Sequence, residues 1–105
     1  MSAIDNRPLD IIEHYGPKHQ QRKLAEENFE LQEVLTEVRL EESRELCEIH
    51  RQMLTDEITD NLVMLVEFIK YYNLDKEELE KRFEYKLDRQ SWRIKNDEGK
   101  IWFNC

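Results

Sequence analysis

The chain has 105 residues, of which 39% are hydrophobic and 38% are charged, and its formal net charge at pH 7 is −8. This length allows one compact domain and no second hydrophobic core. The acidic balance argues against a surface for nucleic acid, which needs clustered Lys and Arg, although carboxylates that hold divalent cations can still bind a small polyphosphate.

The cysteines and the N-terminal segment bear on the compartment. Cys47 and Cys105 lie far apart, so the chain has neither a disulfide framework nor a zinc-site spacing, and a reducing cytoplasm is expected. Residues 1–10 lack a basic region followed by an apolar run, and no stretch approaches the ~20 apolar residues that span a bilayer. We expect a cytoplasmic protein without a membrane partner. Because it has little apolar material to bury, we also expect a homodimer or homotetramer.

The first half of the chain predicts two helices. Glycine and proline are absent from residues 18–98, so the chain should be mostly helical. A short helix is predicted over 5–15, and Gly16-Pro17 should break it. An amphipathic helix over 18–41 follows, because its apolar residues recur at spacings of three, four and seven.

The second half predicts further helix. A turn near Glu42-Ser43 should be followed by renewed helix, and 55–72 is expected to be the core helix. Asp75 should cap a final helix over 76–95. Residues 96–105 are expected to form a turn and a tail, and the sequence does not decide whether the tail is a short strand or a docking segment. The expected fold is an all-α helical bundle, one domain over 1–105 with its core at about 15–95, completed by homo-oligomerisation. The apolar stripe expected in the core consists of Ile58, Leu62, Leu65, Phe68, Ile69 and Tyr72.

Two pairs of acids stand where apolar residues are expected. Glu27 and Glu30 lie three apart on the first long helix, in or beside its apolar stripe, and Glu57 and Asp60 repeat this spacing on the second. A buried carboxylate without compensation costs several kcal/mol or takes up a proton, so each pair needs a partner such as a cation. If the two stripes pack together, four carboxylates converge, and such all-oxygen ligands suit Mg²⁺ or Mn²⁺.

Other interpretations of these acids are possible. A di-iron bundle requires a Glu-x-x-His motif, and none of the histidines has a glutamate three positions before it. Either pair alone would most often line a solvated helix face, in a chain this acidic. The occurrence of both pairs on apolar stripes favours a metal site.

The two-part motif Glu26-Glu27-x-x-Glu30 and Glu57-x-x-Asp60 resembles the signature of the all-α, MazG-like nucleoside triphosphate pyrophosphohydrolases. The segments 23–35, 54–65 and 75–93 are similar to successive parts of the small, phage-type members, and the resemblance covers about residues 15–93. It implies a helical core that dimerises, binds Mg²⁺ and hydrolyses a nucleoside triphosphate to the monophosphate and pyrophosphate. The polar stretch 41–52 differs from the shorter loop of some relatives.

The resemblance also implies roles for individual residues. The metal ligands would be Glu27, Glu30, Glu57 and Asp60, with Glu26 beside them to orient water. Either Glu30 or Glu57 could take a proton from the attacking water. Candidates for contacting the phosphates are Lys23, Lys86 and Arg89, and Asn61 could bind the nucleotide or belong to the polar network around the acids.

Two rival functions stay open at this point. In a noncatalytic helical interaction module, the acids would be solvated and the apolar stripes would bind a partner. A regulatory nucleotide-binding protein would keep the fold and the metal without turnover. The sequence leaves open the preferred base and sugar, the phosphorus that is attacked, and whether the role is housecleaning, pool control or phage replication.

Overall fold

The computed structural model of the chain describes residues 5–39 and 45–96. Regular structure within these residues is entirely α-helical, which confirms the predicted all-α class. The predicted turn at Glu42-Ser43 and the tail after Asn96 lie outside the described residues. The helices are α1 (Arg7–Tyr15), α2 (Pro17–Arg39), α3 (Glu48–Tyr71) and α4 (Lys76–Lys95).

A single glycine separates α1 from α2. Gly16 has φ 89°, a left-handed conformation that most residues avoid, and its N–H donates to Ile12 O at 2.8 Å. Pro17 is the first residue of α2, a position where a missing N–H costs nothing. The predicted break at Gly16-Pro17 is therefore confirmed, and it ends α1 without any intervening loop.

Helices α1, α2 and α3 pack on one another and form a compact unit that ends at Asn73. The buried hydrophobic residues are few, and among the described residues they are Ile12, Val34 and Met64. Three polar side chains, Gln20, Asn61 and Glu67, are buried with them. The interior of this unit is thus half polar, which is unusual, since buried polar groups must find partners.

The prediction that one apolar stripe of α3 lies in the core is wrong for four of its six residues, which are exposed. Ile58, Leu62 and Leu65 are 42%, 55% and 47% exposed, and Tyr72 is exposed as well. The face of α3 that carries Met64 is buried instead. Because residues 62–69 of α3 are all apolar except Glu67, periodicity could not identify which side packs against α1 and α2. The helix begins at Glu48, so the renewed helix predicted after Glu42-Ser43 and the helix predicted over 55–72 form one continuous helix.

The second unit begins at Leu74 and contains α4. The predicted bounds of this helix are confirmed, and the Asp75 carboxylate accepts a hydrogen bond from the N–H of Glu78 at 3.1 Å, as expected of a cap. The prediction of one domain over the whole chain stays a prediction. Among α1 to α4, none combines the length and apolarity that crossing a bilayer requires.

Candidate metal centre

Helices α2 and α3 bring three of the predicted ligands together. Glu27 on α2 and Glu57 and Asp60 on α3 each place one carboxylate oxygen within 4.8 Å of the other two. The spacing of three along α3 sets Glu57 and Asp60 on neighbouring turns of one face, and the packing of α2 against α3 adds Glu27. We call these three residues the acidic cluster.

Asn61 fastens the two helices together beside the acidic cluster. Its side-chain N–H₂ donates to the backbone carbonyl of Glu27 at 3.1 Å and to that of Glu57 at 2.8 Å. The side chain is buried, and no hydrogen bond from the described part of the chain reaches its Oδ1. Both donors of Asn61 are therefore used to hold the backbones of the two glutamates in register, which favours membership of the polar network over contact with a nucleotide.

Burial leaves two carboxylate oxygens of the acidic cluster without partners. The Glu27 side chain is 12% exposed. Glu27 Oε2 and Glu57 Oε2 are both buried, and neither accepts a hydrogen bond from any residue in 5–39 or 45–96. An unsatisfied buried acceptor costs about 1–3 kcal/mol, and more when it is charged. Such atoms persist in a fold when a ligand satisfies them.

The electrostatics of the acidic cluster point in the same direction. Burial raises the pKa of Glu27, and the charges of Glu30 and Asp60 raise it further against the opposing effect of Lys23. Burial likewise raises the pKa of Glu57, with contributions from the charges of Glu30, Glu27 and Asp60 and from a side-chain hydrogen bond with Glu30. Glu30 therefore acts on both glutamates, although it is not one of the three that converge within 4.8 Å.

The residues present fit a hard divalent cation. The acidic cluster offers carboxylate oxygens alone, which suit Mg²⁺ or Mn²⁺ better than metals that prefer imidazole or thiolate. A cation bound there would satisfy the two unpartnered oxygens and neutralise the repulsion that raises the pKa of Glu27 and Glu57. Glu27, Glu57 and Asp60 are placed to hold it, and Glu30 is close enough to assist.

The remaining predicted site residues lie beside the acidic cluster on α2 or belong to the second unit. Lys23 Nζ lies 3.9 Å from Glu27 Oε1 and 3.5 Å from Glu26 Oε2, so Glu26 is at the exposed edge and is bridged to the acidic cluster by Lys23. Lys86 and Arg89 lie on α4, in the second unit, where the Arg89 guanidinium stands 5.8 Å from the centre of the Tyr85 ring.

Comparison of the chain with protein-family models, curated proteins and solved structures found no match.

Sequence reasoning missed a second group of polar residues near the acidic cluster. Glu67 on α3 is buried and accepts a hydrogen bond from Gln20 Nε2 on α2 at 2.7 Å, and Gln20 Oε1 lies 2.7 Å from His19 Nδ1. A signal for Glu67 was present, because it is the only charged residue in the apolar run 62–69. Gln20 lies three residues before Lys23 and seven before Glu27, so it shares their face of α2.

The raised pKa values predict that, without divalent cations, the free energy of unfolding falls as pH rises. Glu27 and Glu57 both have a pKa above the unperturbed 4.5, so just above that pH the folded chain binds more protons than the unfolded chain, and raising the pH destabilises the fold. Hydrogen bonds to Arg7 lower the pKa of Asp5 to about 2, so Asp5 titrates below this range.

Urea unfolding in EDTA from about pH 5 to about pH 8 measures this effect. The free energy of unfolding of the wild type minus that of Glu57→Gln should fall as the pH is raised, because the variant lacks one of the two titrating glutamates. Asp56→Asn, a neutralisation at the adjacent exposed position on α3, is the control and should follow the wild type. A difference that does not change with pH would contradict the prediction.

Proposed function

We propose that the chain is a Mg²⁺-dependent nucleoside triphosphate pyrophosphohydrolase of the MazG-like type, which releases pyrophosphate and the nucleoside monophosphate. One observation carries the proposal: Glu27 and Glu57, each with a buried carboxylate oxygen that has no hydrogen-bond partner among the described residues, converge with the exposed Asp60 between α2 and α3. Glu27, Glu57 and Asp60 are three of the five acids in the motif that resembles this family.

The chemistry divides among the residues as follows. Bound Mg²⁺ or Mn²⁺ would offset the charge on the phosphate oxygens and make a water more acidic. Glu27, Glu57 and Asp60 would hold the metal. The Glu30 carboxylate, beside Glu57, accepts the proton of the attacking water, and Glu26 at the exposed edge orients that water. The ammonium group of Lys23 lies between Glu26 and Glu27 and can turn to a phosphate oxygen.

The geometry weighs against a solvated acidic face, which the rival interaction module requires. Carboxylates on a solvated helix face are exposed and are paired with water or with lysine. Glu27 is instead largely buried, and its ion pair with Lys23 is long at 3.9 Å. The side-chain N–H₂ group of Asn61 also donates to the backbone carbonyls of both Glu27 and Glu57 and so aligns them. That alignment supports a site whose two acids must keep a fixed separation.

We also propose that a second copy of the chain covers the exposed stripe of α3, giving a homodimer. Ile58, Leu62 and Leu65 recur at helical spacing, which places them on one face of α3, and each is at least two-fifths exposed. No charged residue interrupts that face between Ile58 and Tyr72. An uncharged apolar face can pack against itself about a twofold axis, and this unit has a small apolar interior of its own.

Pyrophosphate release tests the function directly. We expect the wild type to release pyrophosphate from at least one nucleoside triphosphate in a panel of ribo- and deoxyribonucleotides when Mg²⁺ is present, and to stop in EDTA. Adding Mg²⁺ should also raise the melting temperature, because a cation that binds only the folded chain stabilises it.

A preparation of Glu57→Gln purified in parallel controls for contaminating hydrolases. If no nucleotide is hydrolysed and Mg²⁺ leaves the melting temperature unchanged, the proposed function is wrong and the interaction module replaces it. If Mg²⁺ raises the melting temperature without turnover, a regulatory nucleotide-binding role is favoured.

A further inference from the structure

A buried hydrogen-bonded relay links α3 to an imidazole on the surface of α2. The relay runs from the Glu67 carboxyl through the Gln20 amide to the His19 ring, with both hydrogen bonds at 2.7 Å. Glu67 and Gln20 are 2% and 4% exposed, whereas His19 is exposed. Two polar side chains inside so small a unit are costly, so their arrangement calls for an explanation beyond packing.

The relay selects the tautomer of His19 and the direction of its ring. Because the Gln20 N–H₂ group donates to Glu67, the Gln20 carbonyl oxygen faces His19 and can only accept. His19 Nδ1 must therefore carry the proton in this bond, and the ring presents its Nε2 edge to a ligand. A histidine held in one tautomer by a buried partner is suited to recognition.

His19 and Tyr15 form the wall of an open pocket. Their rings are stacked, with centres 5.0 Å apart and planes at 18°. Tyr15 is 56% exposed, so this aromatic pair is available to solvent. The pocket has a volume of about 560 Å³ and is lined by Tyr15, His19, Gln20, Arg22, Lys23 and Glu26. We call it the Tyr15 pocket.

The Tyr15 pocket adjoins the acidic cluster along α2. Lys23 and Glu26 line the pocket, and Lys23 Nζ lies 3.9 Å from Glu27 Oε1. His19 precedes Glu27 by eight residues, a rise of about 12 Å along the helix. A nucleotide whose phosphates lie at the acidic cluster and at Lys23 would extend its nucleoside towards Tyr15.

We infer that the Tyr15 pocket binds the nucleoside end of the substrate, with the base stacked on the Tyr15 ring and its polar edge at His19 Nε2. This inference rests on the proposed function. An aromatic ring can stack on any nucleobase, and a hydrogen bond to the edge of the base adds selectivity among bases. Arg22 and Lys23 lie between the two ends, where the phosphate chain passes. Gln20 and Glu67 are positioning residues, since they act only through His19.

Nuclear magnetic resonance of the full-length chain tests the placement without turnover. The probes are an α,β-methylene nucleoside triphosphate with Mg²⁺ and, separately, inorganic tripolyphosphate with Mg²⁺. We expect the side-chain signals of Tyr15 and His19 to shift with the nucleotide analogue and to stay in place with tripolyphosphate. Equal shifts with both probes would make the pocket a phosphate site and overturn the inference.

The same titration separates this inference from the proposed function. If the analogue shifts the backbone signals of Glu27 and Glu57 but not those of Tyr15 and His19, the base placement alone is wrong. If the analogue shifts no signal at all, both proposals fall.

Kinetics of variants then test the relay. His19→Leu should raise KM about ten-fold and leave kcat nearly unchanged, which is the size expected for loss of the hydrogen bond to the edge of the base. Glu67→Gln should keep the wild-type KM, because the new amide oxygen still accepts from Gln20, whereas Glu67→Leu should raise KM and allow His19 to exchange tautomers. The ¹⁵N shifts of the His19 ring report the tautomer, which a purely structural role for Glu67 would leave unchanged. A wild-type KM in both His19→Leu and Glu67→Leu would overturn the inference.

Discussion

Glu57→Gln is expected to lose pyrophosphate release by at least about a hundredfold in kcat/KM, while its melting temperature in EDTA rises above that of the wild type. The two effects have one cause. Glu57 is held at a raised pKa by burial and by the charges of Glu30, Glu27 and Asp60, so a neutral side chain of the same shape relieves the fold. The same replacement removes a proposed metal ligand from the acidic cluster. If Glu57 instead stabilised the fold, Glu57→Gln would lower the melting temperature in EDTA.

The matched control is Asp56→Asn, which removes one negative charge from the neighbouring exposed position of α3. It should leave both the activity and the melting temperature close to wild type. Glu30→Gln and Asp60→Asn should share the activity loss of Glu57→Gln. A Glu57→Gln variant that is less stable in EDTA and retains activity would show that the glutamate is a structural residue.

The double variant Leu62→Lys/Leu65→Lys is expected to dissociate the chain into monomers of 12.9 kDa. Burying a leucine side chain contributes about 1.5–3 kcal/mol, and a twofold interface on the exposed stripe would bury both leucines of each copy. Lysines there would also face like charges across the axis. Association should therefore weaken by about a thousandfold or more.

Sedimentation of the wild type and the variant at micromolar concentrations measures this effect. Leu87→Lys is the control, because Leu87 on α4 is 51% exposed and comparable with Leu62, but lies outside the stripe. A wild type that sediments as a monomer, or a double variant that keeps the wild-type mass, would refute the proposed interface.

Local signals in the sequence predicted the secondary structure well. Gly16-Pro17 ends one helix and begins the next, and Asp75 caps α4, because these residues act through their own backbone and their nearest neighbours. The renewed helix predicted after Glu42-Ser43 and the helix predicted over 55–72 are one helix that begins at Glu48. The sequence did not show that they are continuous, because the polar segment has helix-forming residues but no apolar period.

The acidic cluster was predictable for a different reason. An ionised side chain in an apolar stripe is a conflict that only a partner resolves, and two such conflicts at the same spacing predicted that four carboxylates would converge. Glu27, Glu57 and Asp60 do converge, and Glu30 is not among these three. The separation of the acids and the part taken by Asn61 could not be predicted, because both depend on how α2 and α3 cross. The relay from Glu67 to His19 joins residues 47 and more positions apart, which no local pattern encodes.

In the proposed metal site, the two hydrogen bonds of Asn61 also bear on which ion would fit. They join the carbonyls of Glu27 and Glu57, so α2 and α3 cannot move apart at this level without breaking one of them. Mg²⁺ binds oxygen at about 2.0–2.1 Å and Ca²⁺ at about 2.3–2.6 Å, often with more ligands. A rigid crossing of this kind favours the smaller ion, because a larger coordination sphere would have to force the helices apart. Asn61 would then set the ionic radius that the protein accepts, without itself touching the ion.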